Sequence, residues 1–196
     1  IAHLNITDKT KVVYAGVPGA FAETAMVGYF GEKINGSNVK DFHEVAQSVA
    51  EGKADYGVLP IENSTAGFVN GIYDLLDRFS LSIVGEQKVC VNQCLLGIPG
   101  TELSDVKTVF SHPQGLMQSK EYLEQTDWKQ VSMANTALSA KKVHDDMDKT
   151  QVAIASQRAA QIYGLSVLNP KLNVSDNNTT RFVIVSKERE YEEKAN

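Results

Sequence analysis

Short apolar runs of four or five residues alternate with longer stretches of helical spacing along almost the whole chain. This alternation predicts strands separated by helices, the pattern of a parallel α/β sheet. Residues 11–15 read as a first strand, followed by the turn Gly16-Val17-Pro18-Gly19 and a helix over about 20–30. A second strand is expected at 39–42. The next helix sets Val45, Val49 and Ala50 on one face and stops at Gly52. A third strand at 56–59 precedes Phe68, Ile72, Leu75 and Leu76, which recur at helical spacing. Residues 81–91 lack a helical period and read as a long strand leaving one lobe for another. A second β/α series follows, with strands at 107–110, 130–133, 151–155 and 165–168 and helices at 114–124, 136–147 and 156–163. After a loop at 169–179 rich in Asn and Asp, a last strand at 181–186 returns to the first lobe or bridges both. The expected architecture is α/β, with two α/β lobes and a central cleft. Lobe 1 comprises 1–85 plus about 170–190, lobe 2 comprises 86–169, and 191–196 form a charged tail that is solvated or links to a further domain. A cleft between lobes is a common place for a small-molecule site.

Composition narrows the function classes. The 196 residues hold 42% hydrophobic and 22% charged side chains, ordinary for a globular protein with a real core. Nineteen basic against 24 acidic residues give a formal net charge of −5, and no basic block stands out, which argues against nucleic acid as a partner. No apolar run reaches the ~18–20 residues of a membrane helix, and no secretory signal is visible. Cys90 and Cys94 would lie ~13 Å apart on an extended segment. That is beyond the ~7 Å a disulfide tolerates, so reduced thiols are expected. Neither has a His or Cys cluster with metal-ligand spacing nearby.

Four segments carry chemistry-bearing side chains at expected strand ends. In Thr179-Thr180-Arg181-Phe182, a hydroxyl and a guanidinium sit together at the mouth of a strand. The planar fork of arginine matches a carboxylate, although a strand-end ion pair with a surface acid is the plain alternative. Ser111-His112-Pro113-Gln114 has the capping-box spacing, with Ser111 as N-cap and Pro113 in the first turn. The helix start it predicts can hold an anion. Gln118 shares the helix face of Gln114 and Ser111. His112 has the right unperturbed pKa for acid–base work, or is simply exposed. Pro60-Ile61-Glu62-Asn63-Ser64-Thr65 is expected to open a helix, with Asn63, Ser64 or Thr65 as cap and Glu62 as either an acid or a complement to the helix dipole. The turn 16–19 has glycines that permit close backbone approach to a ligand, or form a tight turn only. The strand-end rule of α/β sheets puts such junctions on one edge.

Taken together, these segments resemble the prephenate dehydratase family, arogenate dehydratases included. The resemblance rests on Tyr14-Ala15-Gly16-Val17-Pro18-Gly19-Ala20-Phe21, Gly57-Val58-Leu59-Pro60-Ile61-Glu62-Asn63-Ser64, Ser111-His112-Pro113-Gln114 and Asn178-Thr179-Thr180-Arg181-Phe182. Tyr73-Asp74-Leu75-Leu76, Ile83-Val84-Gly85-Glu86, Cys94-Leu95-Leu96-Gly97, Ala153-Ile154-Ala155-Ser156 and Ile162-Tyr163-Gly164-Leu165 add to it, in the family's order. Two departures are Ala22, where many relatives carry serine, and Ser119, where cysteine is frequent.

The resemblance implies two lobes similar to type II periplasmic binding proteins. It implies conversion of prephenate to phenylpyruvate in phenylalanine biosynthesis, with no cofactor and no metal, by a cytoplasmic homo-oligomer (dimer or tetramer). It assigns catalysis to Thr180, Glu62, Asn63, Ser111 and Gln118, and substrate binding to Arg181, Phe182, Ser64, His112, Gly19 and Ala20. Thr180 would donate to the leaving oxygen, supplied with a proton by Glu62 or His112. No ACT or chorismate mutase domain is recognised in the sequence, which reads as an isolated catalytic domain or a shortened chain. The alternatives are an arogenate dehydratase, a non-catalytic small-anion binding protein, or the effector-binding domain of a larger protein.

Overall fold

The computed structural model describes residues 4, 6–173 and 177–187. The charged tail beyond Lys187 lies outside the described residues. Two sheets, one per lobe, share one plan. The first lobe contains β1 (Lys11–Ala15), β2 (Asn35–Val39), β3 (Tyr56–Asn63), β4 (Gly67–Phe68), β5 (Leu81–Cys90) and β11 (Thr179–Lys187). The second contains β6 (Cys94–Gly97), β7 (Thr108–Ser111), β8 (Lys129–Ser132), β9 (Gln151–Ala155) and β10 (Ser166–Asn169). The strand orders are β2-β1-β3-β11-β5, with β4 flanking β3, and β10-β6-β9-β7-β8. In each sheet four strands of this path run in one direction and a single strand, β11 in the first and β6 in the second, runs antiparallel between them. The wholly parallel pattern expected from the sequence is therefore corrected. These two antiparallel strands are the ones that directly follow a crossing between lobes, β6 after β5 and β11 after β10, whereas β5 and β10 each follow a helix of their own lobe.

The first sheet's strands come from 11–90 and 179–187, so β5 stays in its sheet five residues beyond the expected boundary at 85. The chain crosses at 91–93 and returns beyond β10. The crossings are knotted together by hydrogen bonds: Val91 N–H donates to the Asn178 carbonyl at 2.7 Å and Leu172 N–H to the Gln93 carbonyl at 2.8 Å.

Helices cover both faces of the first sheet. α2 (Phe42–Ala50) buries Val45, Ala46 and Val49 against Leu59, Val183 and Val185. α1 (Phe21–Phe30) covers Val12, Val58, Phe182 and Ile184 on the other face. Phe182 is thus a core residue of the first lobe, 4% exposed, rather than part of a ligand surface. α3 (Ile72–Arg78) closes that lobe. The second lobe packs α6 (Thr136–Asp146) and α7 (Gln157–Tyr163) on one face of its sheet. On the other face Leu116 of α4 (Pro113–Gln118) and the buried Leu123 of α5 (Lys120–Leu123) pack with Val109 and Val152.

Two expected elements are displaced for physical reasons. β2 begins at Asn35, and its residues Asn35-Gly36-Ser37-Asn38 are exposed, so this edge strand has no apolar signature; its pairing with β1 creates it. Phe42 starts α2, and Asp41 caps it by accepting from Glu44 N–H at 2.9 Å. The strand expected to end at 59 runs on to Asn63, so Asn63, Ser64 and Thr65 open no helix.

Gly57 shows how closely α2 sits on β3. A Cβ there would fall 2.8 Å from Val45 Cγ1 and 3.0 Å from Val49 Cγ2. Gly57→Ala is expected to destabilise the fold by about 1–3 kcal/mol through overpacking; a denaturant titration measures it, and an unchanged midpoint would contradict the packing described.

Candidate active site

Between the lobes lies a cleft of about 190 Å³. The first lobe contributes Phe21, Asn63 and Thr180, and the second His112, Gln118 and Asn135. Val91 and Gln93, from the first crossing, line it as well. Most of the polar groups sit at or just beyond the C-terminal ends of the parallel strands β3, β7 and β8, where open α/β sheets place their ligands.

The first-lobe wall depends on one irregularity. β3 and β11 pair Val183 with Leu59 and Phe182 with Pro60, but then Arg181 with Glu62 and Thr180 with Asn63. Ile61 is an extra residue, a bulge. With an unbroken ladder Glu62 would face Thr180; the bulge sets Asn63 there and turns Glu62 to the opposite face. Asn63 Nδ2 donates to Thr180 Oγ1 at 2.8 Å and to Asn178 Oδ1 at 3.0 Å. Its Oδ1 accepts from the backbone N–H groups of Thr65 and Ala66 and from the Thr65 hydroxyl. Backbone N–H groups can only donate, so the Asn63 amide has one possible orientation. Thr180 Oγ1 therefore accepts from Asn63, and its own hydrogen is left to be donated elsewhere.

On the opposite face, Arg181 Nη2 pairs with Glu62 Oε2 at 2.8 Å, and its Nη1 lies 3.6 Å from Glu86 Oε2. With Ser64, Lys88 and Thr179 these side chains line a separate open hollow of about 410 Å³. The expected meeting of Glu62 and Arg181 with Thr180 in one groove is thus corrected: strand alternation divides them. Ser64 does not reach the cleft either. Its hydroxyl donates to the Asn177 carbonyl and accepts from Thr179 N–H at 2.9 Å, tying the turn to the start of β11.

In the second lobe, Ser111 closes β7 and is wholly buried, donating to the Ile154 carbonyl at 2.8 Å. The expected capping box is corrected by one residue. His112 is the N-cap of α4, its Nδ1 accepting from Gln114 N–H at 3.0 Å, so the neutral ring carries its hydrogen on Nε2. Pro113 occupies the first turn as expected. Gln118 is the last residue of α4; its Oε1 accepts from Gln93 Nε2 at 2.8 Å. The α6 N-terminus also opens on the cleft, with Asn135 Oδ1 capping Leu138 N–H at 2.7 Å and Thr136 beside it. Among the described residues lining the cleft there is no Asp, Glu, Lys or Arg. Any charge held there meets amides, hydroxyls, an imidazole and helix N-termini.

Phe21, Val91, Gln93, Asn135 and Thr136 escape the sequence reading. The strand-end rule would have found Asn135 and Thr136, since they follow β8 as His112 follows β7. Gln93 carries no motif.

Gly19 and Ala20 serve the lobe contact. Gly19, at φ +95°, brings its backbone against α7; an added Cβ would fall 3.0 Å from Ala159 Cα. Its carbonyl accepts from Ser156 Oγ at 2.8 Å, and the Pro18 carbonyl accepts from the Tyr163 hydroxyl at 2.7 Å. Ala20 is the N-cap of α1 by backbone only. Next to it, Glu23 of α1 is 7% exposed and pairs with Arg158 of α7. Glu23 also accepts from the Tyr14 hydroxyl at 2.7 Å. Burial, then the Glu23 bond, push the Tyr14 hydroxyl well above its ordinary range. Burial likewise raises the Cys94 thiol, which donates to the Pro170 carbonyl. Among the described residues no group of three or more His, Cys, Asp or Glu side chains is placed to hold a metal ion, and no helix is long and apolar enough to cross a membrane.

The model of the prephenate dehydratase family matches residues 12–190. The chain belongs to the prephenate dehydratase family. It is 40% identical over 180 residues to Arogenate dehydratase/prephenate dehydratase 1, chloroplastic, of Arabidopsis thaliana, covering 92% of this chain and 46% of that protein. It is 34% identical over 191 residues to the Bifunctional chorismate mutase/prephenate dehydratase of Escherichia coli K12, covering 94% and 50%. The chain thus spans about half the length of these curated relatives. Among solved structures, the prephenate dehydratase of Arthrobacter aurescens in complex with L-Phe superposes with a TM-score of 0.80 at 26% identity, covering 92% of this chain and 60% of that one. GqqA, described as a novel type of quorum quenching acylase, superposes at 0.83 with 33% identity, covering 92% and 65%.

Replacing Arg158 by Met leaves the buried Glu23 carboxylate with Tyr14 alone. The expected loss is on the order of 3 kcal/mol, because a buried charge loses its partner. Thermal unfolding measures it, and an unchanged midpoint would show that the pair is not holding the lobes.

Proposed function

We propose that this domain catalyses the decarboxylating dehydration of prephenate to phenylpyruvate. Family membership supports the reaction class, and the Asn63–Thr180 pair at the cleft carries the mechanistic reading. In the reaction the bond between the ring and its carboxylate breaks, and its electron pair enters the ring. Across the ring the C–O bond breaks, and the departing oxygen takes a proton and leaves as water. Carbon dioxide is released and the ring becomes aromatic. Aromaticity drives the overall step, so the barrier lies in expelling a hydroxide equivalent.

Thr180 suits the donor role because its acceptor side is already occupied. With Asn63 donating to Oγ1, the hydroxyl hydrogen points away from Asn63, and any charge that develops on Oγ1 is met by a fixed N–H. An alcohol remains a weak acid, so the proton moves late or is replenished. His112 is the titratable side chain that shares the cleft, which favours it over Glu62 as the source of replenishment. Gln118, Asn135 and the α6 N-terminus supply neutral donors for the two carboxylates of the substrate. Arg181 is engaged by Glu62 and Glu86 on the other face and acts there on strand geometry. Ser111, buried beneath the α4 cap, supports the junction that presents His112. The acylase activity described for GqqA favours a different group, a nucleophile with a general base in hydrogen-bond reach. The side chain that hydrogen-bonds the Thr180 hydroxyl is an amide, which favours dehydration here.

Incubating the purified domain with prephenate and following phenylpyruvate tests the reading; the same assay with arogenate, following phenylalanine, decides between the keto and amino substrates. Thr180→Val is expected to lower kcat by roughly 10²–10³ with an unchanged melting temperature. Asn63→Leu is expected to cost more turnover than Glu62→Gln. Near-normal turnover by Thr180→Val would remove Thr180 from the mechanism, and the reverse order of the other two would return Glu62 to it.

A further inference from the structure

Gln93 lies on the first crossing between the lobes and is 3% exposed. Its backbone is held on both sides: its N–H donates to Asn173 Oδ1 at 2.9 Å, and its carbonyl accepts from Leu172 N–H at 2.8 Å. Both partners belong to the returning crossing, so the base of the Gln93 side chain is fixed where the lobes join. The side chain reaches the cleft wall and donates Nε2–H to Gln118 Oε1 at 2.8 Å. The other half of the amide, Gln93 Oε1, is buried with no hydrogen-bond partner among the described residues.

For folding alone this is a poor choice. A buried acceptor without a donor destabilises the fold, and an apolar side chain of similar length would avoid it. The amide has one evident consequence in the cleft. Gln118 Oε1 is occupied by Gln93, so Gln118 must turn its two N–H groups the other way. The reverse arrangement, with Gln118 donating to Gln93, would bury an orphaned NH₂, and unpaired buried N–H groups are rarer than under-satisfied carbonyls. It would also offer the cleft a carbonyl oxygen, which repels an anion. Asn178, on the second crossing, does the corresponding work for the first lobe: its Oδ1 accepts from Asn63, and its Nδ2 is buried and unmatched among the described residues.

We infer that Gln93 is a positioning residue, which holds the Gln118 oxygen and thereby presents the Gln118 N–H pair to an anionic substrate. The catalytic consequence rests on the dehydratase reading; the orientation of Gln118 does not.

Gln93→Met keeps the length and removes both polar atoms. Gln93→Glu keeps the shape, but its carboxylate can only accept, so it would draw the Gln118 N–H groups to itself and turn the oxygen to the cleft. The Gln118 side-chain amide resonances, assigned by their loss in Gln118→Leu, are expected to move in both Gln93 variants. Gln93→Met is expected to unfold at the same or a higher temperature and to lose roughly tenfold in kcat. Gln93→Glu is expected to lose more than Gln93→Met. In the Gln118→Leu background, Gln93→Met is expected to change kcat no further, the sign that it acts through Gln118. Unmoved Gln118 resonances would overturn the inference, as would full turnover by Gln93→Met or an equal loss in the Gln118→Leu background. If one variant does not fold, the resonances and turnover of the other decide. If the wild-type domain turns over neither prephenate nor arogenate, the dehydratase reading fails, and the resonances still decide the orientation of Gln118.

Discussion

The one-residue bulge at Ile61 is the constraint on which the cleft depends. It decides which of two adjacent residues, Glu62 or Asn63, stands opposite Thr180. A carboxylate beside that hydroxyl would accept its hydrogen and hold it; an amide with its oxygen already engaged by backbone N–H groups donates to the hydroxyl and leaves that hydrogen available. The same shift sends Glu62 to the far face, where it meets Arg181 on β11. One inserted residue thus sorts four functional groups into two environments, a neutral wall facing the second lobe and a charged cluster behind it. Strand side chains alternate with period two, so a single insertion exchanges faces for everything beyond it.

The lobes are held in register on both sides of that wall. On one side the two crossings share backbone and amide hydrogen bonds through Asn173 and Asn178. On the other, the 16–19 turn lies against α7, with Gly19 at a φ that favours glycine and a separation that leaves no room for a side chain. Glu23 and Arg158 add a largely buried ion pair at the same contact. Burying such a pair carries a heavy desolvation penalty, so its net worth is small, but it fixes orientation because removing either partner is costly. Glycine, read from the sequence as access for a ligand, here gives access for a helix.

Much of this was legible in the sequence. The apolar runs at β1, β7 and β9 and the helical spacing of Val45, Val49, Ile72 and Leu76 are direct imprints of burial on one face, and they fall where expected. β2 was not legible, because an exposed edge strand made of Asn, Gly and Ser is created by its neighbour and not by its own side chains. The end of β3 misled for a related reason: Asn63-Ser64-Thr65 has the composition of a helix cap, and the same side chains serve a tight turn equally well. The presence of Asn63, His112 and Thr180 at one cleft followed from the strand-end rule, which needs only topology, and that of Gln118 from the helix face it shares with Gln114. The partition of Glu62 and Arg181 from them did not, because a bulge depends on register, and register is a property of two strands together. Gln93 was invisible because its significance lies in its partner, 25 residues further along.

A cleft walled by neutral donors is a physical answer to a difficult ligand. The chain carries a formal net charge of −5, and the proposed substrate is a dianion, so long-range attraction does not deliver it. A lysine or arginine in the wall would bind the carboxylates tightly in the ground state, and one of those carboxylates must leave as a neutral gas. Binding that charge too well would deepen the well from which the reaction starts without helping the departing oxygen. Amides and helix N-termini that are already oriented hold charge more weakly and lose little in reorganisation, so they favour the state in which charge has moved across the ring. On this view the guanidinium on the far face of β11 is held out of the cleft for a reason. Asn63, Gln118 and the groups that fix their orientation do what a cation would do less selectively.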